Sequence, residues 1–165
     1  MNTIRIPIRY LPNRLSRKDK KNQVQMLLKS RKLYKKHQYY TRKKLASYKN
    51  KTSKHVRNAQ RIYKIEHITP GEELADATGC SIAALEAIVK KGEGAYYSSG
   101  SRPNQTAQSW GYARLASSLT AGKSAAIDYH ILEKGCNHKK KAFILANQSR
   151  KRRKRKTPKT IVRIS

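Results

Sequence analysis

Residues 69–94 read TPGEELADATGCSIAALEAIVKKGEG, and two helix starts and two helix stops are written into them. Thr69 stands as an N-cap, Pro70 at the first helical position and Glu72 at the third, facing the positive end of the helix dipole. That helix is expected to run to about Ala77 and to stop at Thr78-Gly79. Ser81 then caps a second helix over residues 82–90, with Ile82, Leu85, Ile88 and Val89 as its apolar face and Gly92 as its C-terminal glycine.

On the C-terminal side, residues 94–105 (GAYYSSGSRPNQ) are small, polar and aromatic, and are expected to form a loop. Thr106 or Asn104 caps a third helix through Leu119, with Trp110, Ala113, Leu115 and Leu119 for burial. Ala121-Gly122 is a turn. A fourth helix covers residues 124–134, carries Ile127, Ile131 and Leu132, and ends at Gly135. Four short helices make a small all-α module with a core that is marginal by itself.

The charge then divides the chain. Of its 165 residues, 39 are Lys or Arg and 9 are Asp or Glu, a net +30. Residues 1–63 hold 20 basic residues and one acid, Asp19. Residues 64–136 hold 7 and 8, and residues 137–165 hold 12 and none. A near-neutral helical module is thus flanked by a basic N-terminal arm and a basic C-terminal tail. Like charges this dense repel, so both are expected to stay extended until something anionic neutralises them.

Within the N-terminal arm, residues 3–10 alternate, with Ile4, Ile6 and Ile8 on one side and Arg5 and Arg9 on the other. This is a strand pattern, which Pro7 restricts to an edge. Residues 160–164 form a similar strand; the two pair with each other, add to a partner's sheet, or are frayed termini. Ser16 with Asp19 makes a capping pair for a helix whose face is Val24, Leu27 and Leu28, extended weakly by Tyr34, Leu45 and Tyr48. Tyr39-Tyr40-Thr41 is β-favouring and is expected to break it in two. Ser53 caps a short helix over residues 55–63. The fold class is therefore mostly α: a four-helix central module, a long basic helical and extended arm, a basic tail, and short terminal strands.

Several catalytic or ligand patterns are incomplete. Gly122-Lys123-Ser124 has the ending of a phosphate-binding loop, but Ser117 occupies the required earlier glycine and no strand precedes it. Cys80, His130, Cys136 and His138 are zinc-ligand types without a CxxC pair. Two small buried thiols are the expected state, with a Cys80–Cys136 disulfide the alternative. Asp128 and His130 lie on different sides of a helix, and no nucleophile elbow accompanies them. No cofactor or metal is expected. The longest apolar run, residues 142–146, is far short of the roughly 20 residues of a membrane span. The first residues contain no apolar signal segment.

What remains is contact chemistry. Arg31, Lys35, Lys36, Arg42, Lys43 and Lys44 crowd the N-terminal arm, and tyrosines interleave them, which suits base stacking or packing on a protein surface. Residues 150–156 are seven consecutive basic residues, including Arg150, Arg152, Arg153 and Arg155. They suit a nuclear import signal, a nucleic-acid tail or a clamp on an anionic surface. In the 94–105 loop, Tyr96, Tyr97, Arg102 and Asn104 either offer stacking and polar contacts or, the reading preferred, belong to a long structured loop packed over Trp110.

The stretches YLPNRLSRKDKKNQVQMLLKSRKLYKKHQYYTRKKLASYKNKTSKHV and KKGEGAYYSSGSRPNQTAQSWGYARLASSLTAGKSAAIDYHILEKGC resemble an uncharacterised domain family of large double-stranded DNA viruses, the algal viruses and their giant-virus relatives. The resemblance covers roughly residues 10–136 and centres on GAYYSSGSRPNQT…SWGYARLAS. It brings no assigned activity and no catalytic residue. It implies a virion protein, made in the host cytoplasm or virus factory, with the nucleus as an alternative site. The reading is a non-enzymatic minor capsid protein on the inner face of the shell. Its arms would link major and other minor capsid proteins, with viral DNA or inner-membrane headgroups as further anionic partners and no small-molecule substrate. The alternative is a DNA-binding or DNA-condensing protein of the virion core. An enzyme using the 96–105 loop is the third and weakest class.

Overall fold

The computed structural model describes residues 2–152 and 158–164. Among them the fold is mostly α, with eight helices and one two-stranded antiparallel sheet. In chain order the elements are β1 (Asn2–Pro7), a 3-10 turn (Ile8–Tyr10), α1 (Arg17–Tyr34), α2 (Lys54–Tyr63), α3 (Glu72–Thr78), α4 (Ile82–Ser98), α5 (Ala107–Leu119), α6 (Lys123–Ile127), α7 (Tyr129–Gly135), α8 (Lys141–Lys151) and β2 (Lys159–Ile164).

The charge boundaries are not the structural ones. The chain forms two compact units: Met1–Asn50 with Ala95–Thr106 and Arg155–Ser165, and Lys51–Gly94 with Ala107–Lys154. We call them unit 1 and unit 2. The division at residues 63 and 136 is therefore corrected at both ends. Ala59 and Tyr63 from the expected arm, and Ala142, Phe143 and Ala146 from the expected tail, are buried in the same apolar cluster as Leu85 and Leu115. Apolar side chains at helical spacing pack wherever they fall in the chain, whatever the charge around them.

In unit 2, Ser53 caps α2 by accepting from the His55 N–H. Ser81 does the same for α4 from the Ala84 N–H at 3.2 Å. α3 begins two residues later than its Thr69-Pro70 signal, with Gly71 as its N-cap, and ends at Gly79 in the left-handed region (φ 76°). The expected fourth helix divides at Asp128 into α6 and α7.

α4 continues through Gly92 and Gly94 instead of stopping there. The reason lies on another helix. A methyl group at Gly92 would come within 2.5 Å of the Gly111 Cα, and one at Gly111 within 2.7 Å of the Val89 carbonyl oxygen. Glycine inside a helix costs about 1 kcal/mol relative to alanine. Here it permits backbone-to-backbone approach of α4 and α5, so Gly92 is a packing residue and not a stop.

Cys80 and Cys136 are joined in a disulfide, which corrects the expectation of two thiols and removes both from any zinc set. The two cysteines face each other in an antiparallel bridge. The Ser81 N–H donates to the Gly135 carbonyl and the Asn137 N–H to the Gly79 carbonyl, each at 2.8 Å.

In unit 1 the terminal strands pair with each other, Asn2 opposite Ile164 through Pro7 opposite Lys159. Pro7 lies at the strand end, where it interrupts no ladder. Ser16 caps α1 by accepting from the Asp19 N–H at 3.1 Å. The helix closes with His37 in the left-handed region (φ 58°). The His37 N–H donates to the Tyr34 carbonyl at 3.0 Å and the Gln38 N–H to the Leu33 carbonyl at 2.9 Å. This is a Schellman closure with histidine in the place glycine usually takes.

Beyond it residues 38–50 are irregular, so the second helical piece of the arm does not form. Leu45 and Tyr48 are nevertheless buried, packed with Leu15 and Met26. The arm is folded, not extended. Polar anchors hold it in place.

Candidate functional site

Unit 1 carries 21 Lys and Arg residues against one acid. That acid, Asp19, is occupied: its carboxylate accepts from the N–H and the hydroxyl of Ser47, which holds its pKa below the usual carboxylate range. No other carboxyl side chain in the unit competes for its cations. The question is which cations face outward.

Arg42 does not. It is 6% exposed, and its guanidinium donates to the Ser30 hydroxyl (3.0 Å), the Tyr96 carbonyl (2.8 Å) and the Ser101 hydroxyl (2.8 Å). The guanidinium carbon sits 3.8 Å from the Tyr96 ring centroid, and the Arg42 N–H donates to the Tyr96 hydroxyl at 3.0 Å. Burial pulls the Arg42 pKa down and pushes the Tyr96 pKa up. A buried cation without a carboxylate persists here because the fork-shaped side chain meets three oxygens and a ring face. The reading of Arg42 as a partner contact is corrected: it is an internal strut.

Two loop residues are corrected with it. Tyr96 belongs to α4, not to a loop, and is fully buried. Asn104, in the left-handed region (φ 62°), clamps the irregular segment. Its amide oxygen accepts from the Leu45 N–H at 2.6 Å, and its amide nitrogen donates to the carbonyls of Leu45 (3.2 Å) and Tyr48 (2.9 Å). Arg31 is half-buried and donates to the Ser99 carbonyl at 2.9 Å. Ser30 donates to the Tyr97 carbonyl at 3.0 Å.

Tyr97 is half-buried, and seven of the other predicted contacts lie outside. Lys35, Lys36, Lys43, Lys44 and Arg102 are exposed in unit 1, and Arg150 and Arg152 are exposed in unit 2. The Arg150 guanidinium carbon is 4.5 Å from the Tyr129 ring centroid. Both residues line a surface hollow of about 400 Å³, together with Ala126, Ile127, His130 and Glu133. Arg153 and Arg155 fall outside the described residues.

One feature of the surface was not resolved by sequence reading. Tyr39 is 68% exposed, while its neighbour Tyr40 packs against the cluster of Leu15, Met26, Leu45 and Tyr48, with the Lys29 ammonium 4.5 Å from its ring centroid. The Tyr39 ring is braced by Tyr97 at 5.1 Å and Tyr34 at 6.2 Å. Tyr97 in turn meets buried Tyr96 edge-on at 5.1 Å. A continuous line of rings therefore runs from the buried Arg42–Tyr96 pair out to solvent. The in-out alternation of residues 39–42 is the signal that separates the two tyrosines, and it needs an extended backbone to be readable.

The remaining chemical candidates are absorbed by structure. Asp128 is fully buried, paired with Arg114 through two contacts of 2.8 Å and with Lys91 at 3.4 Å. Gly122 and Ser124 spend their N–H groups on Ser117, so the phosphate-loop ending is a turn. His138 stacks on Phe143, with ring centroids 3.9 Å apart. Among the described residues no cluster of three or more metal-ligating side chains occurs. Among the same residues no helix is long and apolar enough to cross a membrane.

No curated protein and no solved structure matches the chain. A protein family does, over residues 7–137: DUF5824, a family of unknown function. The match spans well over half of the sequence, and the chain belongs to this family.

Proposed function

We propose that this member of the family is a non-enzymatic nucleic-acid-binding protein that presents unit 1 to the phosphate backbone. The supporting observation is the imbalance of 19 basic residues against one hydrogen-bonded carboxylate among the described residues of unit 1, with Lys35, Lys36, Lys43 and Lys44 exposed. Fixed cations gain from phosphates by releasing condensed counterions, and no base-specific contact is needed. The setting we propose, a virus particle, rests on the resemblance to the large-DNA-virus domain family.

The test is a salt series of fluorescence anisotropy with labelled oligonucleotides. Binding through 6–10 phosphates loses roughly 10³–10⁵ in affinity between 50 and 200 mM salt. Weak binding with a flat salt response removes the proposal.

A second reading, the minor capsid protein that links shell subunits, draws support from the terminal ribbon. β1 and β2 form a two-stranded sheet, and Ile161 is 64% exposed. A narrow ribbon of this kind suits addition to a neighbour's sheet edge. Folding of residues 2–50 into unit 1 weakens the version in which extended arms make the links. Separating particles into shell and nucleoprotein core distinguishes the two: the protein should follow the core in the first reading and the shell in the second.

A further inference from the structure

We infer that the nucleic acid this protein takes is single-stranded, with an unpaired base stacking on Tyr39. The inference rests on the nucleic-acid reading above and adds the strand state and the contact residue. Phosphate attraction alone needs only lysines, and so does an acidic protein surface. Neither explains a tyrosine ring held out in water.

Tyr39 is not one scattered surface aromatic. The residue is 68% exposed, yet its ring is held by two others, Tyr34 and Tyr97. Tyr97 is fixed from below, since its carbonyl accepts from Ser30 and its ring packs on buried Tyr96. The backbone leading into Tyr39 is set by the left-handed turn at His37 and by the Gln38 N–H bond to Leu33. A pre-set ring loses little freedom when a base lands on it. Lys35 and Lys36, exposed and directly after Tyr34 in the chain, supply cations for the adjoining phosphates.

Stacked bases in a duplex hide their faces, whereas a single strand offers them. An exposed ring among cations is the composition of a single-strand platform, tolerant of sequence because every base has a π-face.

The experiment uses the full chain with Tyr39→Ala and Tyr39→Phe. Anisotropy is measured on a labelled 20-nucleotide single strand and on a duplex of the same length at one salt concentration. A single strand carrying 2-aminopurine reports stacking by loss of emission. Tyr39→Ala should weaken single-strand binding about 5- to 150-fold, the usual range for one stacked base, and abolish the emission change. Duplex affinity should move less than twofold, and Tyr39→Phe should restore wild-type behaviour. Circular dichroism should show both variants folded, since the side chain is mostly in solvent.

If Tyr39→Ala leaves the single strand unaffected, or weakens strand and duplex equally, the inference fails while the nucleic-acid reading stands. If the unmodified chain binds neither probe, both fail.

Discussion

Unit 2 is held together by carbon, and unit 1 adds a frame of nitrogen and oxygen to a smaller share of buried carbon. In unit 2, fully buried Leu74, Leu85, Ile88, Leu115, Leu119 and Leu132 belong to one apolar cluster. Its one buried carboxylate, Asp128, is neutralised by Arg114 and Lys91. Among the described residues of unit 1, Leu15, Met26, Leu45 and Tyr48 form a smaller cluster with Leu11 and Tyr40 beside it, and Ile6, Tyr10, Leu27 and Tyr96 are buried as well. Around it lie buried Gln23, Ser30, Arg42 and Ser101, each hydrogen-bonded. A region this rich in lysine and arginine buries fewer apolar side chains than unit 2 does. Polar anchors with defined partners can still fix an irregular chain, provided that every donor and acceptor is met. The comparison teaches that a strongly basic segment need not wait for an anion to take shape.

The largest expected effect tests the apolar half. Leu115→Ala should cost about 2–5 kcal/mol, the usual cost of a truncated core leucine. Urea denaturation measures it, and a cost well under 1 kcal/mol would mean that unit 2 does not depend on its cluster. Arg42→Ala tests the polar half, and should cost about 2–4 kcal/mol by leaving buried oxygens without their donor. Amide exchange should speed up in residues 38–50 and 95–104. Arg42→Lys should recover little, because a point charge cannot span three acceptors. If lysine restores full protection, charge and not the fork is what matters at that position. Ser16→Ala, which removes the cap of α1, should cost about 1 kcal/mol and raise exchange in its first turn.

The last effect is absent at neutral pH. Tyr63 donates its hydroxyl proton to the Leu119 carbonyl, and burial pushes its pKa well above the ordinary 10. The folded chain keeps this proton at pH values where the unfolded chain has released it. The stability contribution is therefore complete below pH 10 and drains as pH climbs from there toward the raised value. Tyr63→Phe should flatten the alkaline fall seen by denaturation at rising pH. Tyr96 in unit 1 is pushed the same way by burial, with Arg42 pulling against it, so the larger alkaline loss belongs to unit 2.

Helix starts were readable because capping is local. Ser16, Ser53 and Ser81 each take an N–H two or three residues on, and sequence shows that spacing directly. The mostly helical class and the terminal strands were readable for the same reason. What stayed hidden depends on partners far along the chain. Gly92 looks like a stop until Gly111 is placed beside it. Arg42 looks like any other cation in a basic run, since its acceptors Tyr96 and Ser101 lie more than fifty residues away. The Cys80–Cys136 disulfide spans 56 residues and has no local signature. The candidate surface was legible only as composition. Which tyrosine faces water follows an in-out alternation over residues 39–42 that is readable only once the backbone there is known to be extended.

The contact between Gly92 and Gly111 carries a consequence for descent. Neither position can enlarge first: a methyl on one meets the backbone at the other helix, and shrinking the partner is impossible because it is already glycine. No sequence of single replacements leads away from this pair without passing through a misfit. Lineages that keep the two helices in contact should therefore hold both glycines together, and a lineage that loses one should show its helices spread apart.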